Sequence, residues 1–148
     1  MHAITMLKED HQKVRTMLND GEDTTERAVK TRTELLATLA EELRIHETIE
    51  EEIFYPALEE HAKTKDIALE GYEEHHVVDG IMEELDGLPV DDETWSAKFA
   101  VMKENLEHHI EEEESEMFPK ARQVMDEGEF EELGRMMQER REQLRAGG

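Results

Sequence analysis

Apolar side chains along this chain recur every three or four residues, which is the spacing of one face of an α-helix. Alternating apolar and polar runs, which are typical of half-buried strands, are scarce. The pattern therefore predicts five helices. They cover residues from about 3 to 28, from about 31 to 57, from about 67 to 85, from about 92 to 118, and from about 128 onwards.

Prolines, glycines and capping residues mark the borders of these helices. Gly87 and Gly128 are expected to separate helices, and Asp91 or Asp92 to cap the fourth. Pro56 lies inside the second apolar pattern, where it lacks an N–H and should bend the helix or end its regular part. The predicted fold is all-α: an antiparallel four-helix bundle over residues 1–127, with an appended C-terminal amphipathic helix over 128–148 in the same domain. That last helix is expected to cover the bundle or to form a dimer contact.

The first turn has two candidate positions. Gly21 is one helix stop, and Thr31 with Glu34 forms a capping-box pattern farther along. In an antiparallel hairpin, side chains at one level lie equally far from the turn. His11 and His46 are level only if the turn lies near 28–32, because a turn near Gly21 would offset them by roughly 15 Å. The predicted turn is therefore the later one.

Composition narrows the function. The 148 residues carry 40 Asp and Glu against 17 Lys and Arg, a net charge of −23. This charge argues against nucleic acid or an anionic membrane as a partner. The chain has no cysteine, which excludes disulfides and thiolate metal sites. The first residues lack the pattern of a signal peptide, and no apolar run approaches the ~20 residues of a membrane span, so a cytoplasmic protein is expected.

An internal repeat locates the candidate chemistry. His11 and His75 lie in similar segments 64 residues apart, Glu-Asp-His and Glu-Glu-His. A second motif, His-x-x-x-Glu followed by proline, occurs at an offset of 63 residues, in the segments 46–56 and 109–119. The chain thus consists of two similar helical hairpins.

The spacing also assigns an orientation to each histidine. Residues four apart share one helix face, so His46 with Glu50, and His109 with Glu113, should point into the bundle beside His11 and His75. His76 and His108 should point outward, and His2 and His61 lie outside the repeat and should be solvated. Buried carboxylates are costly without a compensating charge, and bound cations supply one. Imidazole and carboxylate suit iron, manganese or zinc.

These motifs, with Phe54-Tyr55-Pro56 and Phe118-Pro119 following the two glutamates, resemble the hemerythrin-like, or HHE cation-binding, family over roughly residues 3–125. The resemblance implies a four-helix bundle around two iron ions in an oxo- or hydroxo-bridged non-haem centre. By the same resemblance, Glu50 and Glu113 bridge the irons, His11 and His46 bind one iron, and His75 and His109 bind the other. The small ligands of such a centre are dioxygen or hydrogen peroxide.

The sequence departs from the oxygen-carrier members of that family at Asp79, where they have a fifth histidine. Asp79, at +4 from His75, is expected to face inward, either as a seventh ligand or as a hydrogen-bond partner of a coordinated imidazole. Glu47 is a weaker candidate ligand, and Tyr72 either approaches the site or packs in the core. A ferritin-like centre is disfavoured because the one Glu-x-x-His motif, ending at His76, points outward.

Two functions follow from this interpretation. One is the binding of dioxygen or the decomposition of hydrogen peroxide, in a catalase-like activity or an oxidative-stress response. The alternative is a non-catalytic module that senses or stores oxygen, nitric oxide or iron. The chain is expected to act as a monomer or homodimer.

Overall fold

The computed structural model describes residues 1–147, and within this range the chain is helical with no strand. The all-α prediction is confirmed. The helices are α1 (Ala3–Glu22), α2 (Val29–Ile49), α3 (Tyr55–Glu59), α4 (Ala62–Asp86), α5 (Trp95–Glu112), α6 (Phe118–Val124) and α7 (Glu127–Ala146). Two π-helical turns, Glu50–Phe54 and Glu113–Met117, join α2 to α3 and α5 to α6.

The bundle has four rods: α1, α2 with α3, α4, and α5 with α6. Each rod packs against its neighbours in the chain, and α1 also packs against α5. α4 begins at Ala62, five residues before the predicted start. Before α5, the Asp92 side chain accepts hydrogen bonds from the backbone and hydroxyl of Thr94, so it organises the turn that precedes the helix.

Each π-helical turn precedes a proline of the repeat. The amide of Tyr55 donates to the carbonyl of Glu50, and that of Phe118 donates to the carbonyl of Glu113, five residues back in each case. Proline cannot donate to the α-helical ladder and clashes with the carbonyl four residues before it. The wider turn accommodates both effects without ending the rod. Both candidate glutamates therefore lie at the first position of a π turn.

The prediction for the first turn was wrong. α1 ends at Glu22 and α2 begins at Val29, with Ala28 and not Thr31 at its N-cap. The expected position treated the turn as a point midway between His11 and His46. The connection instead spans residues 23–28 and contains two backbone hydrogen-bonded turns, one from Thr24 to Gly21 and one from Ala28 to Thr25. Arg32 fastens it through hydrogen bonds to Thr24 and to the carbonyl of Val90.

The core consists of two apolar clusters, one at each end of the bundle. One contains Leu7, Ile49 and Met117, and the other contains Val14, Leu43 and Leu106. Along each of the four rods, the histidine that faces the interior lies between residues of one apolar cluster and residues of the other. The polar layer is therefore enclosed by apolar packing above and below.

The last helix, α7, packs against α1 and α2. Phe130 and Met137 are fully buried there, and the Cα of Gly134 lies against the backbone of Met1. A β-carbon at position 134 would overlap the carbonyl of Met1, so this close approach requires glycine. Among residues 1–147, no helix combines the length and the apolar character needed to cross a membrane.

Candidate metal centre

Four histidines form a buried layer across the bundle. His11, His46, His75 and His109 come from α1, α2, α4 and α5, and they are 1%, 6%, 3% and 4% exposed. Their rings pair within the hairpins: the centroids of His11 and His46 are 5.3 Å apart, and those of His75 and His109 are 4.9 Å apart. The helical register of the sequence predicts this inward orientation for all four.

Two glutamates complete the layer, and each joins the two hairpins. Glu50 and Glu113 are both 0% exposed. Oε1 of Glu50 lies 3.2 Å from Nε2 of His46 and 3.0 Å from Nε2 of His75. Glu113 lies 2.9 Å from Nε2 of His11 and 3.4 Å from Nε2 of His109.

These donors fall into two adjoining clusters. His11, His46, Glu50 and Glu113 offer ligand atoms within 4.8 Å of one another, and so do Glu50, His75 and His109. Glu50 belongs to both clusters. Imidazole and carboxylate donors at this spacing can hold a metal ion.

The other nitrogen of every imidazole faces a carboxylate. Nδ1 of His11 lies 2.7 Å from Glu114, and Nδ1 of His46 lies 2.9 Å from Asp10. The distance from Nδ1 of His75 to Glu51 is 2.7 Å, and that from Nδ1 of His109 to Glu74 is 2.5 Å. A carboxylate at Nδ1 fixes the ring and leaves Nε2 for a metal.

Sequence reasoning missed this outer set of four acids, although the repeat carries its signal. Asp10 and Glu74 directly precede the lone histidines, and Glu51 and Glu114 directly follow the core glutamates. The preceding acid bonds within its own hairpin, and the following acid bonds across to the other hairpin. The choice of partner depends on which helices are neighbours, and helical periodicity alone does not specify this.

Tyr55 is a further site residue that the sequence interpretation did not single out. Its hydroxyl donates a 2.5 Å hydrogen bond to Oε2 of Glu113 and lies 3.3 Å from Nε2 of both His75 and His109. Burial, reinforced by Glu113 and Glu50, raises the pKa of this phenol well above its usual value. Tyr55 is therefore a neutral hydrogen-bond donor within the centre. Its hydroxyl lies beside His75 and His109, the two histidines of the second cluster.

The electrostatics of the layer reflect its dense packing of acids and imidazoles. Burial alone would lower the pKa of His46, but Glu50 and Asp10 outweigh burial and raise it. Burial also disfavours the charged form of His75. Glu50 and Glu51 favour that form more strongly, and they raise the pKa of His75 to about 9. Burial would raise the pKa of Glu113, but His109 holds it well below its usual range. The pKa of His109 is likewise raised, by Glu113 and Glu74 against the opposing effect of burial, so protons on His46, His75 and His109 balance buried carboxylates when no cation is bound.

The structure does not place Asp79 inside the layer, and the expectation of an inward side chain was wrong. Asp79 is exposed and belongs to neither cluster. Glu47 is instead the buried acid at this side, 7% exposed. Burial, together with the nearby Asp79, raises the pKa of Glu47 to about 9. Tyr72 stays outside the layer, where its hydroxyl donates to Glu59 at 2.8 Å and lies 3.3 Å from the carbonyl oxygen of Glu51.

The remaining histidines lie outside the centre. His76 and His108 are exposed, as the helical register predicts, and His61 is half-buried. His2 departs from the expectation of a solvated side chain. Its Nδ1 accepts a hydrogen bond from the amide of Ile4, and its ring stacks on Phe130. His2 thus caps α1 and attaches it to α7.

A narrow, mainly apolar pocket lies beside the four imidazoles. Its other lining residues are Val14, Leu43, Glu47, Leu106 and Ile110. Its free volume is about 10 Å³, so it excludes large or strongly hydrated molecules and has room for a ligand about the size of one water molecule.

Fold and site together define a class: helical bundles whose interior offers cation-binding imidazoles and carboxylates. The family model of the hemerythrin HHE cation-binding domain matches residues 2–121. The chain belongs to this family.

A solved structure supports the assignment. The chain is similar to the crystal structure of a hemerythrin HHE cation-binding domain-containing protein from Mycobacterium kansasii, described as an Rv2633c homolog. The two are 32% identical, the match covers 99% of this chain and 89% of that one, and the TM-score is 0.86. A comparison with curated proteins gave no match.

Proposed function

We propose that the layer holds two non-haem iron ions and binds dioxygen or hydrogen peroxide, with peroxide decomposition as the favoured reaction. His11 and His46 would hold one ion, His75 and His109 the other, and Glu50 and Glu113 would bridge them. The observation that carries the proposal is the pair of buried donor clusters that share Glu50.

The residues fit such a centre on a direct structural criterion. Oε2 of Glu50 is buried and has no hydrogen-bond partner among the described residues. An unpaired buried carboxylate oxygen is expensive, and a cation is the partner that would satisfy it. The donors also suit manganese and zinc, and elemental analysis of the protein distinguishes these metals from iron.

The chain's own groups prepare the site in three ways. The four outer carboxylates hold the proton on Nδ1 and so aim each Nε2 inward. Tyr55 orients Glu113 through its short hydrogen bond. Val14, Leu43, Leu106 and Ile110 keep bulk water from the pocket. Bound iron would supply redox and Lewis-acid chemistry toward a small oxidant.

Metal content tests the centre, and neighbouring histidines provide matched controls. Wild type reconstituted with iron should hold two ions per chain. His109→Ala and His75→Ala should lose iron, while His108→Ala and His76→Ala, which change exposed side chains next in sequence, should retain both ions. Elemental analysis of protein that stays metal-free after reconstitution would overturn the proposal.

Oxygen release from added peroxide tests the reaction. Iron-loaded wild type should release oxygen well above the level of His109→Ala at equal protein concentration. If wild type holds two irons but matches His109→Ala, the catalytic role fails. The protein would then be a module that senses or stores oxygen, nitric oxide or iron.

A further inference from the structure

A second, more polar pocket opens at the surface between α2 and α4, next to the candidate centre. Its volume is about 300 Å³, and its polar lining includes Arg44, Glu47, Thr48, Glu51 and Asp79. The charge of Arg44 is already engaged by a hydrogen-bonded pair with Glu41, at 2.8 and 3.1 Å. Within residues 1–147, no lysine or arginine pairs with the three acids of this pocket.

Glu47 and Leu43 form the wall between this outer pocket and the inner apolar pocket, because both residues line both pockets, and Glu47 is the polar member of the pair. The Glu47 side chain is more than nine-tenths buried, and over the described part of the chain its Oε2 lacks a hydrogen-bond partner. A buried carboxylate oxygen without a donor requires an explanation, since native structures satisfy nearly all such groups. A cation in the outer pocket provides one.

The donors at this wall meet the spacing that a cation needs. Glu47, Glu51 and His75 offer ligand atoms within 4.8 Å of one another. Glu51 is also the acid at Nδ1 of His75, and Nε2 of the same ring lies 3.0 Å from Glu50. The cluster of Glu47, Glu51 and His75 thus shares the His75 imidazole with the buried centre.

The repeat shows that this acidic arrangement is specific to one side of the bundle. An offset of 63 residues places Ile110 at the position equivalent to Glu47, and an offset of 64 places Arg15 opposite Asp79. On that second side, Arg15 lies 3.7 Å from Glu114, the counterpart of Glu51. The second side therefore has an apolar wall and a cation where the first side has acids.

A route of this kind is needed because the core glutamates are 0% exposed. We propose that Glu47, Glu51 and Asp79 form an entry site for divalent cations, from which each ion passes beside His75 into the buried centre. Asp79 at the mouth attracts the ion, and Glu47 and Glu51 replace part of its water shell. This inference rests on the proposed metal centre.

The rate of metal uptake tests the entry site separately from the centre. Co²⁺ is added to metal-free protein, and its visible absorption follows coordination by imidazole and carboxylate. Glu47→Gln should slow uptake at least tenfold and Asp79→Asn several-fold, with the final content unchanged at two ions per chain. Glu104→Gln on α5 and Asp86→Asn on α4 make the same changes at exposed positions and should load at the wild-type rate.

The other possible results of the Co²⁺ experiment each contradict a different part of the proposal. Wild-type rates in both pocket variants would overturn the entry site while leaving the centre intact. A final content of fewer than two ions in Glu47→Gln would also overturn it, because Glu47 would then be a permanent ligand. Failure of wild type itself to bind Co²⁺ would overturn both the centre and its entry site.

Discussion

Arg141 of the last helix donates a 2.6 Å hydrogen bond to the same oxygen of Asp10 that lies 2.9 Å from Nδ1 of His46. Burial would raise the pKa of Asp10, but His46 and Arg141 lower it, so the acid stays charged. The last helix, α7, lies beyond residues 2–121, which the family model matches. It is therefore connected to the candidate ligand His46 through Asp10.

This chain of contacts predicts a graded loss of metal affinity. Asp10→Ala should weaken binding about 10- to 100-fold, because His46 loses the group that orients it. Arg141→Gln should weaken it less, since Asp10 remains. Arg140→Gln removes an equal charge whose partner is the exposed Glu52, and it should bind as wild type does. Calorimetric titration with metal gives the three affinities, and equal values for the two arginine variants would refute the link.

Tyr55 and Tyr72 provide a matched pair of variants that measures how much the buried Tyr55 hydroxyl contributes to the free energy of unfolding. Tyr55→Phe removes the donor to the fully buried Glu113 and should lower the free energy of unfolding of metal-free protein by about 1.5–3 kcal/mol. Tyr72→Phe removes a donor to the less buried Glu59 and should cost about 1 kcal/mol or less. Urea denaturation measures both, and an equal cost would contradict the assigned role of Tyr55.

Metal binding should depend on pH through the imidazoles. In metal-free protein the pKa of His75 is about 9, so this ring is protonated near neutrality. A metal at Nε2 must displace that proton, and affinity should therefore rise from pH 6.5 to 9 with release of protons. The stability that the raised pKa gives the metal-free fold is fully present below about pH 6.5 and is lost as pH rises through about 9.

Titrations in buffers of different ionisation enthalpy count the released protons. His76→Ala, which alters an exposed ring, should leave the pH dependence unchanged. Affinity that is constant between pH 6.5 and 9 would show that the imidazoles are already neutral in the metal-free protein.

Two glycines of α4 are expected to respond in opposite ways to alanine. A β-carbon at Gly71 would lie 2.7 Å from the ring of Tyr55, so Gly71→Ala should push that ring from the centre and cost about 1–3 kcal/mol. At Gly80 nothing lies within 4 Å, and Gly80→Ala should stabilise the helix by up to about 1 kcal/mol. Thermal unfolding distinguishes the two, and a stabilising Gly71→Ala would contradict the packing described for Tyr55.

Local periodicity determines much of this structure, and it does so for a physical reason. Positions four apart share a helix face whatever the helix packs against, so the pattern alone places His46 with Glu50 and His109 with Glu113. The repeat then adds His11 and His75. The outer acids were missed because their partners lie on other helices, at distances set by packing.

Asp79 shows the limit of the helical wheel. The buried residues at −4, +3 and +10 from His75 are Gly71, Val78 and Leu85. At 100° per residue, they centre the buried stripe roughly 60° to one side of His75 and place Asp79 on the other side, at the edge. A side chain at +4 from an inward residue is therefore inward only when the buried stripe is not displaced to the opposite side of that residue.

The crossed pairing of Glu51 with His75 and of Glu114 with His11 makes the two hairpins interdependent. Each half of the chain carries the acid that orients a histidine of the other half. An isolated hairpin would have one lone histidine with no acid at Nδ1 and one acid with no ring to hold. Either hairpin expressed alone would therefore need a complementary second hairpin to complete the same layer. The two halves are complementary in these acids without being identical, as the contrast between Glu47 and Ile110 shows.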